Sequence, residues 1–333
     1  MAEQECRDTG TPVWTSSSEV WFEDGNIILV AGDEGFRVFR GILAKQSPVF
    51  AGMFKLPPPS PRRQVYEGCP VVVMPDAALD MRHFLAALHD LESMKSLCAP
   101  KLLDSEANCA ISGILQLSAK YEVTRLLTAL CDALEVLLPA SYGDFRNAYQ
   151  SLQNVPTGDL FLLANALRLT DSVGKKLLVP ILLLCAHQPL SQIIDGAALG
   201  DPNNAIIELD APVKRAVLLG RGKLHKMAFS HTLHHIRALD GNGMFCHQGQ
   251  KACSASRYAI LRTLMDGKEP DGFVSPFPEV FGYAVDLLNA EKYPGPLCGT
   301  CAYEKVMHTQ VALMQNGQQY VWERLPEIFG VTP

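Results

Sequence analysis

A chain of 333 residues, 48% hydrophobic and 19% charged, has an ordinary globular composition and enough apolar side chains for one large core or two modest ones. Its net charge of −6 and pI near 5.9 argue against a polyanion as the main partner, because nucleic-acid binders usually present a basic face. The most apolar run, Leu177 to Ala186, is interrupted by Pro180 and is far shorter than the ~20 residues of a spanning helix, so it reads as a buried helix.

The first ten residues are polar and acidic, unlike a secretory leader, and residues 1–18 read as a loose tail. Cytosol or nucleus is the expected compartment, with reduced cysteines. Ile27 to Val30 is an apolar run of strand length, Gly32 to Gly35 a turn, and Phe36 to Phe39 an alternating second strand, together a β-hairpin. Ile42, Leu43 and Gln46 suggest one helical turn, and Ser47-Pro48 is a helix start with Ser as N-cap and Pro in the first turn. Leu56 to Arg63 is a proline-rich loop containing a PxxP and Ser60-Pro61, most simply an insertion loop although an SH3-type groove accepts such segments.

Val71 to Met74 follows as a strand between two prolines, and Leu79 to Leu91 as a helix with Phe84, Leu85, Leu88 and Leu91 on one face. Ala107 to Leu115 marks a further helix, capped by Asp104 or Ser105. Val123 to Leu138 repeats apolar residues at spacings of three and four, and the short Tyr121-Glu122 link makes these two an antiparallel pair. Beyond Pro139 the chain reads as mainly helical, with candidates at 160–169, 175–186, 213–219, 224–239, 255–265, 281–289 and 302–319.

The order strand, strand, helical hairpin, strand, helix, helix, helix resembles the BTB/POZ fold. Phe22 to Phe54 is similar to that family's opening, with Leu43, Ser47, Phe50, Met53 and Phe54 in its helical-hairpin pattern. Gly68 to Asp76 and Met81 to Asp90 resemble its third strand and third helix, and Leu117 to Val123 the joint between its last two helices. The resemblance implies a BTB/POZ-like domain over 19–139, a small mixed sheet with helical hairpins; with the mainly α-helical domain read over 140–333, the expected architecture is α+β. It also implies a charged pocket near a dimer surface at Asp24 and Arg40, with Asn26 competing for the acidic position. Phe39 departs from the pattern, which often has His there. Val321 to Gly330, after Cys298-Gly299-Thr300-Cys301, resembles the C-terminal extension of uncharacterised BTB proteins from mushroom-forming fungi.

Cys298 and Cys301 form a CxxC, and Cys246 with Cys253 can complete a tetrahedral structural zinc site, His247 being an alternative ligand. The other reading is one reduced CxxC and two unrelated cysteines. Lys292 to Leu297 is not the apolar strand that a thioredoxin-type CxxC follows. His231 and His235 share a helical face without an HExxH pattern, so His225, His231, His234 and His235 read as a plain helical face. The sequence contains no Gly-x-Ser-x-Gly elbow, Walker loop or dinucleotide fingerprint. The expectation is a non-catalytic adaptor or scaffold that self-associates and binds other proteins. The alternatives are a cullin-type ubiquitin-ligase adaptor, a transcription regulator, and a metal- or thiol-dependent enzyme built on the C-terminal Cys and His residues.

Overall fold

The computed structural model of the chain describes residues 13–56, 65–90, 104–139, 141–170, 172–200, 204–238 and 318–331. The chain divides into two units, residues 1–137 with 166–174 and residues 138–165 with 175–333. Among the described residues it is a mixed α+β protein, mostly helical, with one five-stranded sheet. None of the described helices is long and apolar enough to cross a membrane.

The first unit is built on the hairpin of β2 (Ile27–Ala31) and β3 (Glu34–Val38), paired antiparallel from Ile27 opposite Val38 to Ala31 opposite Glu34. Gly32, at φ 57, supplies the left-handed residue of the tight connection. β5 (Cys69–Met74) joins β2 in parallel, and β4 (Val65–Tyr66) turns back along β5. β1 (Thr15–Trp21) lies parallel to β3 at the opposite edge, giving the order β1-β3-β2-β5-β4. This strand begins inside the stretch that composition assigns to a loose tail. Its sequence is polar because it is an edge: Ser17 and Val20 are buried while Thr15, Ser16, Ser18 and Glu19 stay exposed.

Every residue of β2 is buried, so both faces of the sheet are covered at its centre. Glu34, opposite Ala31, receives Arg82 of α3 (Ala78–His89) at 2.6 Å, which identifies the face of Ala31, Leu29 and Ile27 as the helical one. After β3 come α1 (Arg40–Gln46) and α2 (Pro48–Met53). Ser47 caps α2 by accepting from the Phe50 N–H at 3.0 Å, and its own hydroxyl donates to the Tyr121 carbonyl at 2.5 Å. Tyr121 stacks on Phe50 at 4.6 Å and sits between α4 (Ser105–Lys120), capped by Asp104, and α5 (Thr124–Glu135). One hydroxyl thus ties the helical hairpin to the joint of the later helix pair.

The second unit contains α6 (Tyr142–Leu152), α7 (Thr157–Arg168) and α8 (Ser172–Ala186), the last two apart from residues 166–174. α9 (Leu190–Asp195), the two-residue strands β6 (Ala197–Ala198) and β7 (Ile206–Ile207), α10 (Ala211–Ala238) and α11 (Gln318–Phe329) complete it. The apolar run from Leu177 to Ala186 is indeed helix, continuous through Pro180, and its apolar residues are buried. Asn165 clamps the approach to α10, donating to the Glu208 carbonyl and accepting from the Asp210 N–H, both at 2.9 Å. Two cations satisfy helix C-termini: Arg221 donates to the Ala186 and Gln188 carbonyls, and Lys223 to those of Glu327 and Ile328.

α10 replaces two expected helices, 213–219 and 224–239, with one. The glycines at 220 and 222 suggest a break, yet Gly220 is the place where the Phe329 ring approaches the helix, closer than any Cβ would permit.

Candidate protein-interaction surface

The outer face of the sheet carries a cluster of apolar and aromatic side chains. Ile28, Val30 and Cys69 form its buried floor, and Trp14, Trp21, Tyr66 and Val71 pack on that floor while staying partly open. Val73, one residue-pair further along β5, is 70% exposed. Trp14 lies 6.2 Å from Trp21 and edge-on to Tyr66 at 5.1 Å, a pair geometry that the ring quadrupoles favour. Gly35 makes room for Trp14, whose ring occupies the space that a Cβ would take. Arg37 crosses the same face, donating to the Gly25 carbonyl at 3.0 Å and pairing with Glu67 at 3.4 Å. Among the described residues β1 is an edge, hydrogen-bonded to β3 alone.

Asp24 and Arg40 are both exposed, and no ion pair joins them among the described residues. The Arg40 guanidinium donates to the Phe54 carbonyl at 2.7 Å and lies over the Phe54 ring at 5.2 Å. Asn26 comes nearest to the role contemplated for an acid: its Oδ1 accepts from the Arg40 backbone N–H at 2.8 Å, satisfying a helix-start donor that Phe39 cannot cap. Phe39 itself joins an aromatic group, 5.3 Å from Phe22, with the His89 imidazole 4.9 Å from Phe22 and 6.3 Å from Phe39. Phe39 thus has an imidazole beside it, brought from α3.

Next to this group a groove of about 300 Å³ opens between α1, α3 and α5. Ile42, Ala87, Leu88 and Leu126 form its apolar part, and Lys45, Gln46, His89 and Arg125 its polar part. Gln46 bridges α1 and α3 by donating to the Leu88 carbonyl at 3.2 Å. Burial pushes the pKa of His89 down, only partly countered by the Leu85 carbonyl 2.7 Å from its Nδ1, so the ring is neutral at pH 7.

Several other ionisable groups of the first unit are held in contacts between elements. Burial raises the pKa of Glu34, but hydrogen bonds from Arg82 and Ser17 outweigh it and hold the carboxyl below its usual range. Asp76 binds Lys120 at 2.5 Å and accepts from the Tyr121 hydroxyl, and burial with that carboxylate pushes the phenol far up. Burial raises Asp80 and lowers His83. In the second unit Tyr149, His187, Arg221 and His225 cluster, and burial first, then the neighbouring Arg221 and His225, push the His187 imidazole down to about 3.

No group of three or more His, Cys, Asp or Glu side chains suited to a metal occurs among the described residues. Cys246, Cys253, Cys298 and Cys301 lie outside the described residues, as do the PxxP segment and the side chains of His231, His234 and His235. Burial raises the Cys131 thiol to about 11 and the Cys185 thiol further still, which makes both poor nucleophiles. No protein-family model matches the chain, and no curated protein and no solved structure matches it.

Sequence reasoning did not mark Trp14, Trp21, Tyr66, Val73 or the groove residues as an interaction surface. For the sheet face a signal existed: Val71 and Val73 alternate with Val72, and on a strand that alternation puts two valines on one side.

Proposed function

We propose that the chain is a non-catalytic protein-interaction molecule whose first unit is a BTB-like dimerisation module. The antiparallel β2–β3 hairpin, the parallel β5 beside it, the α1–α2 hairpin and the α4–α5 pair support the BTB-like reading. The observation that carries self-association is the outer sheet face, where a patch of Trp, Tyr and Val is left partly open to water. Its occupant is a second copy of the chain. Arg37 and Glu67 already neutralise each other on this face, so two copies can meet there by a twofold axis without burying an unpaired charge. As a dimeric scaffold the protein would hold two partners together, and recruitment to a cullin-type ubiquitin ligase is one use of such a scaffold.

Size-exclusion chromatography with light scattering on the full chain tests the reading. The expected result is a dimer mass at tens of micromolar that falls to a monomer in Val73→Glu, with unchanged circular dichroism. A wild-type chain that stays monomeric at high micromolar concentration overturns the dimer.

A further inference from the structure

We propose that the groove between α1, α3 and α5 binds an acidic peptide segment of a partner protein, with an apolar side chain against its floor and a carboxylate between Lys45 and Arg125. The floor is preformed: Leu126 and Ala87 are buried core residues, and the Gln46–Leu88 hydrogen bond fixes the distance between two of the walls. Its volume, about 300 Å³, is at the small end for ligand sites and suits one anchoring side chain with a stretch of backbone.

Charge selects the occupant. Lys45 and Arg125 are exposed, line the groove from α1 and α5, and make no ion pair among the described residues. No acidic side chain lines the groove. This is a local excess of positive charge on a chain whose net charge is −6. Arg125 also breaks a helix rule: it occupies the first turn of α5, where Val123 offers no side-chain cap and no acidic residue is present, so it stands against the positive end of the helix dipole. A carboxylate placed there interacts favourably with both cations and with that end, while the apolar floor supplies desolvation that strengthens the contact. Gln46 and His89, the other polar members, are held by the Leu88 and Leu85 carbonyls and carry no net charge at pH 7.

The inference rests on the reading of the first unit as a protein-binding module, but it uses a different surface from the sheet face, so the two fail separately. The test is fluorescence polarisation of the full chain with three labelled peptides: leucine alternating with aspartate, leucine alternating with lysine, and leucine alternating with phosphoserine. Saturable binding of the aspartate peptide is expected, weakening as salt rises, and weakening at least about tenfold in Lys45→Glu/Arg125→Glu. Both side chains are exposed, and the milder Lys45→Ala/Arg125→Ala, expected to give an intermediate loss, guards against a folding defect. No saturable binding, equal binding of the lysine peptide, or binding unchanged in the charge-reversed variant overturns the proposal. Binding of the phosphoserine peptide alone also overturns it, since the carboxylate is then not the group recognised. Light scattering on the charge-reversed variant keeps the readings apart: a dimer that has lost the peptide supports the groove, and a chain that dimerises but never binds the peptide overturns the groove and leaves the dimer standing.

Discussion

Gly35 sits opposite Val30 in the hairpin and against the ring of Trp14, and its lack of a side chain is what lets an aromatic ring come this close to the strand. Gly35→Ala places a methyl group inside that ring, and relief requires Trp14 to leave the outer face. A loss of about 1–3 kcal/mol in stability is expected, the usual cost of overpacking, read from urea unfolding together with a red shift of tryptophan emission. A gain in stability would show that Trp14 is not anchored there. Two of the buried thiols give a second residue-scale expectation. Cys131 and Cys185 are deprived of thiolate by burial, so iodoacetamide labelling of the native chain mapped by mass spectrometry leaves both unmodified until denaturant is added.

Among the elements, α2 is six residues long and owes its start to Ser47. Ser47→Ala removes the cap on the Phe50 N–H and leaves the buried Tyr121 carbonyl without its hydroxyl donor. The expected cost is about 2 kcal/mol, measured by chemical unfolding, whereas Ser47→Thr retains most of the stability. This cap was legible in the sequence because Ser-Pro is a local signal, as were Asp104 and the hairpin around Gly32. β1 was not, since its stability comes from pairing with a strand well separated in sequence and its own residues are the polar ones that an edge requires. The continuity of α10 was hidden for a similar reason: the use of Gly220 lies in Phe329, over a hundred residues away. α6 is legible too, for Ser141 caps the Asp144 N–H, and Phe145, Tyr149 and Leu152 follow at helical spacing. The groove could not be read at all, because three elements bring its floor and its two cations together only after folding. Asp24 and Arg40 show the opposite limit. Their residue types and spacing were visible, whereas the Arg40 guanidinium bond to the Phe54 carbonyl and the Asn26 bond to the Arg40 N–H are set by the fold.

For the molecule as a whole, both units bury histidine in its neutral form. Burial lowers His83 and His89 in the first unit and His187 and His225 in the second. The unfolded chain takes up a proton on each near the ordinary value of 6.5, while the folded chain resists it. Stability is therefore fully present above pH 6.5 and is lost as pH falls toward the folded pKa values, for His187 toward about 3. One histidine behaving in this way gives a limiting slope of about 1.4 kcal/mol per pH unit across its window. His187 is the strongest case, with Arg221 and His225 both opposing a further positive charge beside it and the Tyr149 hydroxyl 3.4 Å from Nδ1. Arg221 cannot move away cheaply, because it holds the carbonyls of Ala186, the last residue of α8, and Gln188 just beyond it at 2.6 and 2.7 Å. Urea titrations of the full chain at pH 7, 6 and 5, read at the three tryptophans, Trp14 and Trp21 in the first unit and Trp322 in the second, are expected to show a falling midpoint. In His187→Gln the dependence reported by Trp322 flattens, even if its stability at pH 7 is lower. An unchanged slope in that variant would place the acid sensitivity of the second unit elsewhere and remove His187 as its source.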